Sequence, residues 1–523
     1  MDYPTMIVAA MAIPLLAFVV MIALPARHVP KQLFEAIHIL SVTAVLVLVL
    51  LSVLHVVGSG ESVNALGLWF HLDDLGSIFA ALIGVIGFLT GVFSVPYIRH
   101  DEAAGNFSRS QIKQYYAFFS LFICTMLLVV LSNNIIMMWV SIEATTLATV
   151  FLVAVYNTKF SLEAAWKYII VCTTGVAFGL YGTLLVYANA ADIMADPHQA
   201  VFWSSLIPYA SEFDGMLMQI AFVFAAIGFG TKAGLFPMHT WLPDAHSEGP
   251  SSVSGLLSGV LTKCAILVLI RFYVIAIQAI GIEFPQMIML ILGGLSVLVS
   301  ALAMLSQNNL KRKLAYSTCE NIGVIALCLG FGGPLGIAAA LLHCIFHSLT
   351  KSLMFCLSGN VLMKYGTSDL RKIQGIIQVA PVTAVLLCVG LFALSAFPPF
   401  AMFLSEVMAF IAGISAGYLW LVVLMGLALT VVIATFALVV LRSVLGKAPD
   451  SIKKGDVGIA VLAPELVLVA LVLWFGVAPP PLVLSGVESA TAIVLQQKAD
   501  DLHEAPVFKT FFAATNTDPS VSE

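Results

Sequence analysis

Runs of about twenty apolar residues with almost no charge recur along the whole chain, beginning with MIVAAMAIPLLAFVVMIAL from Met6. A bilayer's hydrocarbon core is about 30 Å thick and a helix rises about 1.5 Å per residue, so one such run crosses it once. Fourteen runs start near Met6, Ile37, Leu75, Tyr116, Ile135, Ala164, Gly215, Ser252, Pro285, Leu314, Leu335, Ala380, Ala416 and Val457. Of 523 residues, 61% are hydrophobic and 10% charged, against roughly 25% charged in soluble domains. No soluble core hides that excess. Runs of that length are read as membrane-spanning helices. The expected fold is an all-α polytopic membrane protein of about fourteen transmembrane helices.

Several function classes drop out. No basic stripe with interleaved aromatics is present, which argues against nucleic acid. The eight cysteines lie in apolar runs without a C-x-x-C pair, so iron–sulfur, c-type haem and zinc-ribbon sites are not expected. They read as small buried hydrophobes. The first run has no basic region ahead of it and reads as a retained span, not a cleaved signal.

Basic residues give the expected orientation. Connections after odd-numbered spans hold sixteen of the 23 lysines and arginines, among them Arg27, Arg109, Lys159, Lys311, Arg371 and Lys453. Connections after even-numbered spans hold none. Positive residues stay on the cytoplasmic side, so the N-terminus is expected outside, in a bacterial or archaeal cytoplasmic membrane. Residues 1–115 carry spans 1–3, 446–485 hold span 14, and 486–523 read as a polar tail.

Five cations remain inside the apolar runs: Lys167, Lys232, Lys263, Arg271 and Lys351. Lys167 follows Glu163 by four residues near a span end, so snorkelling with an i,i+4 pair explains it as well as function does. Arg271 admits either reading. Lys232, Lys263 and Lys351 have apolar sequence on both sides, and a charge at mid-bilayer costs roughly 2.5–3.5 kcal/mol on insertion scales. Glu143 and Glu406 lie at the same depth. Such groups mark an ion pathway, with static ion pairing as the structural alternative. Span 11 reads LLHCIFHSLTKSLMF, which puts His343, His347 and Lys351 on one helical face. An H-x-x-x-H pair without a third ligand suits proton relay better than metal or haem, with satisfied core histidines as the alternative.

Helix breakers travel with these charges. Gly228, Gly230, Gly234 and Pro237 surround Lys232 in span 7, and Pro398 and Pro399 precede Glu406 in span 12. Two interrupted helices five spans apart suggest two five-helix repeats, spans 4–8 (116–280) and 9–13 (281–445). An odd number of spans inverts the second. Inverted repeats with broken helices near the site are a transporter design.

The run TKAGLFPMHTWLPDAHSEGPSSVSGLLSGVLTKCAIL, Thr231 to Leu267, resembles the signature of the antiporter-like subunits shared by respiratory complex I, multisubunit cation/proton antiporters and group 4 membrane-bound hydrogenases. The resemblance covers about residues 70 to 445, and LLVVLSNNIIMMWVSIEATTLATVFLVAVYNTKFSLEAAWKYIIVC looks most like the hydrogenase 4 component F type. It implies that Glu143 pairs with Lys232 and that Lys263 links two half-channels. His343, His347 and Lys351 would relay onward to Glu406 as the exit. His239 and His246 fall in the signature's loop and stay open between proton input and a structural role. The tail is shorter than the long lateral helix of the largest complex I antiporter subunit, which argues against that identity. The resemblance further implies a proton-translocating subunit, without cofactors of its own, among other membrane subunits and a peripheral redox module.

Overall fold

The computed structural model describes residues 2–26 and 29–512. Arg27, placed above in the first connection, and residues 513–523 of the tail lie outside them. Fourteen helical passes follow in order. They are Tyr3–Ala23, Lys31–Ser59, Asp74–Ala103, Arg109–Leu131, Ile135–Val153, Lys159–Ala191, a broken span 7, Ser251–Ile280, Glu283–Ser306, Leu310–Phe331, Gly333–Tyr365, a broken span 12, Leu419–Val444 and Ile459–Val477. Span 7 is Gly215–Ala233 followed by Trp241–Glu248, and span 12 is Pro381–Leu394 followed by Ala401–Ser415. Several helices start earlier than the apolar runs, because polar first turns carry the helix beyond the apolar stretch. Span 4 begins at Arg109 behind a Ser108–Gln111 capping box.

Contacts between connections show that the passes alternate. Strands β1 (Val63–Ala65) and β2 (Phe70–Leu72) form a hairpin after span 2. Phe70 bridges Ser132 after span 4, and Asn134 bridges Phe202 after span 6. On the opposite, basic side Asn309 bridges Asp369, and Gly455 donates to Val379. Lys311 and Lys313, expected in the connection after span 9, instead lie buried in the first turn of span 10. There the Lys311 amine donates to Gly249 O and the Lys313 amine to Met304 O.

The core is formed by spans 8, 10 and 11. Spans 8 and 11 are buried along their whole apolar window and span 10 over 94% of it. Spans 6 and 7 approach so closely that a Cβ on Gly228 would lie 2.2 Å from the Gly179 nitrogen, the small-residue contact expected where lipid provides no hydrophobic drive.

Arg271 proves to be a clamp. Its guanidinium grips Asp73 in a two-point pair (2.6 and 2.7 Å) and lies 4.2 Å from the Trp203 ring. Burial works against the Asp73 carboxylate, yet the Arg271 charge outweighs it and holds the acid down at about 2. Lys167 fits its bland explanation: it is half exposed and pairs with Glu163 at 2.7 Å and Asp244 at 3.3 Å.

One expectation needs correction. The polar tail does not begin at 486, because Pro481–Leu495 is a further short helix that buries Leu484, Val487, Ala490 and Val494. It packs on spans 3 and 11. Its apolar stripe is only fifteen residues long, too short to cross the bilayer and long enough to cover a bundle end.

Asp73→Ala should lower stability by about 3–5 kcal/mol, since it strands a buried guanidinium. Adding Arg271→Met should recover part of that loss, as followed by thermal unfolding in detergent.

A buried polar axis

Each broken span ends its first half in the same way. In span 7, Leu235 N–H donates to Gly230 O (2.9 Å) and Gly234 N–H to Thr231 O (3.2 Å). This is a Schellman motif with Gly234 left-handed at φ +92. In span 12, Phe397 N–H donates to Phe392 O and Ala396 N–H to Ala393 O, both 3.2 Å, with Ala396 at φ 51. A cis X–Pro bond follows at the same offset in each, Phe236–Pro237 and Pro398–Pro399. The Gly234 conformation is favoured by glycine, and a Cβ there would lie 2.6 Å from Leu242.

Lys232 occupies the last turn before the first break and is fully buried. The expected ion pair with Glu143 is not formed. The Lys232 amine donates instead to Thr146 Oγ1 (2.7 Å) and Tyr168 OH (2.8 Å). It stands 4.9 Å from the Tyr168 ring centre and 5.9 Å from that of Trp241, faces that attract a cation. Glu143 is only partly buried and accepts from Thr173 at 2.7 Å. Thr146, 3.5 Å from the Glu143 carboxylate, stands between acid and amine. A β-branched hydroxyl one turn from Glu143 thus separates two groups that the charge pattern alone would join.

Farther in, span 8 winds as a π-helix over Leu257–Leu261. The Ser258 carbonyl there accepts from Lys263 Nζ (2.6 Å) and Thr262 Oγ1 (3.0 Å). Such a bulge leaves carbonyls free for other donors and recurs at functional sites. Lys263 also meets His347 Nδ1 at 2.6 Å. The His343 and His347 rings stack 6.0 Å apart on span 11. His343 contacts Asn321 Oδ1 and Ser405 Oγ, each at 3.0 Å. Asn321 spends its amide hydrogens on Ser317 O and Glu320, so its oxygen faces His343 and the imidazole Nε2 must donate. Glu406 adjoins Ser405 in sequence, is buried, and has no hydrogen-bond partner among the described residues. Lys351 shares the histidine face but donates to Leu314 O at 2.7 Å, not to His347. No hydrogen bond joins the Lys232 group to the Lys263 group among the described residues.

His239 lies in the span 7 break with its Nδ1 unpartnered, beside the rings of Phe236 and Tyr316. His246 is fully buried, stacks on Phe355 at 4.9 Å, and has neither nitrogen partnered. On the basic side a polar cavity of about 940 Å³ is lined by His100, Asp101, Tyr156, Glu248 and Lys364, and Glu248 follows His246 by two residues.

Several buried acids were missed, and Glu320 and Glu465 are the two inside spans 10 and 14. Both satisfy the rule that singled out Glu143, but each lies near the start of an apolar run, where depth is ambiguous in sequence. The neutral partners Thr146, Tyr168, Asn321 and Ser405 carry no charge signal at all.

Two broken helices of one design within a helical bundle define a transporter class of fold. Residues 132–433 match the family described as "NADH:quinone oxidoreductase/Mrp antiporter, TM". That is more than half of the chain, and the chain belongs to this family. It is 38% identical over 340 residues to a hydrogenase-4 component F homolog of Methylacidiphilum infernorum, covering 65% of this chain and 71% of that one. Hydrogenase-4 component B of Escherichia coli is 28% identical over 65% of this chain and 50% of its own. A Na(+)/H(+) antiporter subunit A1 of Staphylococcus aureus is 27% identical over 90% of this chain and 62% of its own. The chain thus spans between half and about seven-tenths of these relatives. Among solved structures, the archaeal membrane-bound sulfane sulfur reductase contains a chain of the same fold, with TM-score 0.84 and 22% identity over 95% of this chain and 98% of that one. A chain of the Mrp complex from Dietzia gives 0.82 and 19% over 98% and 100%.

Replacing both partners of His343 (Asn321→Leu with Ser405→Ala) should slow proton movement through the reconstituted complex by about tenfold or more. A hydrogen bond to a charged group is worth roughly 1.5–3 kcal/mol. Unchanged assembly on a native gel would separate this effect from misfolding.

Proposed function

We propose that this chain is the proton-translocating membrane subunit of a redox-driven respiratory complex, of the membrane-bound nickel–iron hydrogenase or formate hydrogenlyase type. One observation carries the reading: the Lys263 amine and the His347 imidazole lie 2.6 Å apart, fully buried, on different spans. At that distance one nitrogen holds the proton and the other presents a lone pair. A proton can therefore pass from span 8 to span 11 without displacement of either chain.

The steps around that contact follow from the neighbouring groups. Protons enter from the basic side, the cytoplasm in this reading with the N-terminus outside, by way of the polar cavity, with His246 and His239 as input groups. Lys232 is the switch. In the arrangement described its charge rests on neutral hydroxyls and ring faces, with Thr146 between it and Glu143. If Glu143 closes on Lys232, a pair 4 Å apart at an effective dielectric constant near 20 is worth roughly 4 kcal/mol, about a thousandfold in proton affinity. A neighbouring redox module that moves Glu143 would thereby load or release the Lys232 proton. From Lys263 the proton continues through His347 and His343 and leaves by Glu406, with Lys351 and Glu320 setting the field around the path. Electron transfer, with its cofactors, resides in partner subunits.

A second reading is a multisubunit sodium/proton antiporter, favoured by the longer coverage of the Staphylococcus aureus relative. A complex I type NADH–quinone oxidoreductase shares the family. Co-purification with a nickel–iron hydrogenase supports the first reading, and with NADH-oxidising subunits the last.

Lys232→Ala should reduce substrate-driven proton pumping in proteoliposomes to background while the complex still assembles; pumping at the wild-type rate would overturn the mechanism. Proton exchange driven by a sodium gradient, without redox substrate, would favour the antiporter instead.

A further inference from the structure

Glu465 of span 14 is fully buried and stands apart from the axis just described. Its one hydrogen bond is from Asn360 Nδ2 of span 11 to Oε2, at 2.8 Å. The other carboxyl oxygen, Oε1, has no partner, and neither does Asn360 Oδ1. Two acceptor oxygens are thus orphaned on two side chains that already touch. Exchanging the amide's oxygen and nitrogen leaves the same shortfall of one hydrogen.

We infer that Glu465 and Asn360 form a proton-binding site in which Glu465 is a neutral carboxylic acid, its Oε1–H donated to Asn360 Oδ1. A protonated carboxyl has one donor and one acceptor in line with those of a primary amide. The pair closes as a ring of two hydrogen bonds and removes both orphans with a single proton. An ionised Glu465 would leave a buried charge on one neutral donor, an arrangement that costs several kcal/mol in such surroundings. Two orphan oxygens are also too few for a hard cation, which gathers about six.

The surroundings agree. Span 14 packs on spans 3, 11 and 12. Of the titratable groups near Glu465, Asp456 in the preceding connection is acidic and Cys356 of span 11 is a thiol. No lysine, arginine or histidine forms an ion pair with it among the described residues. Asn360 follows Lys351 by nine residues, two and a half turns, and so lies on the opposite face of span 11 from the relay. Glu465 is six residues into its helix, roughly 9 Å from the basic end. The site is a proton store on the basic half of the membrane, separate from the path through Lys263. It stands whether or not that path pumps.

Infrared difference spectroscopy of the purified complex tests this directly. In the wild type at neutral pH, Glu465 should contribute a protonated-carboxyl C=O band that moves on H/D exchange and disappears in Glu465→Gln. Asn360→Leu should keep that band and shift it to higher frequency, because the acid loses its partner. Loss of carboxylate stretching bands in Glu465→Gln would overturn the proposal. So would a C=O band that Asn360→Leu leaves in place, which serves as the check should Glu465→Gln not assemble. Either negative outcome leaves the pumping reading intact, since that rests on Lys232 and Lys263.

Discussion

The contact between Lys263 and His347 is the interaction around which the rest of the structure is organised. An amine and an imidazole can face each other at 2.6 Å in a membrane interior only where protein, not lipid, surrounds them. Spans 8 and 11 are accordingly the two spans buried along their whole apolar window. The π-helical turn of span 8 supplies the carbonyl that steadies Lys263. Spans 1 and 13, with 33% and 39% of their apolar windows buried, hold none of the axis groups.

Much of this was legible in sequence, for a definite reason. Span number and alternation follow from run length and from where lysine and arginine stop, both single-residue properties. Lys232, Lys263, His343 and His347 stood out because ionisable groups are rare in apolar runs, and each is buried. What failed was pairing. Glu143 and Lys232 differ in charge and share a depth, but Thr146 and Tyr168 take the amine first, and a hydroxyl one helical turn away is invisible to charge patterning. Lys351 has the right helical face for the histidine row, yet its amine donates to the Leu314 carbonyl, which also accepts from Thr318 Oγ1. The helix Pro481–Leu495 escaped because its apolar stripe is too short to register as a span.

The two broken helices share a backbone design but not a chemistry. Aligned on the left-handed residues Gly234 and Ala396, Lys232 falls opposite Leu394, and Glu406 falls opposite Asp244. The cation precedes its break, whereas the acid follows the other. Asp244, the counterpart of the buried Glu406, is spent on ion pairs with Arg312 and Lys167 at the basic surface. The backbone design is repeated while its charges are distributed, so the two breaks are not copies of one site.

The hairpin after span 2 has a consequence for how such a molecule can move. Through Phe70 and Ser132, then Asn134 and Phe202, it joins three connections of one face by main-chain bridges. On the other face, Arg312 with Asp244 and Lys311 with Gly249 fasten the two five-helix units to each other. A machine that carried bulky cargo by tilting one five-helix unit against the other would have to break the second of these seams on every cycle. A chain that hands on protons has no such need: its scaffold can stay stiff as a truss while only side chains turn within it.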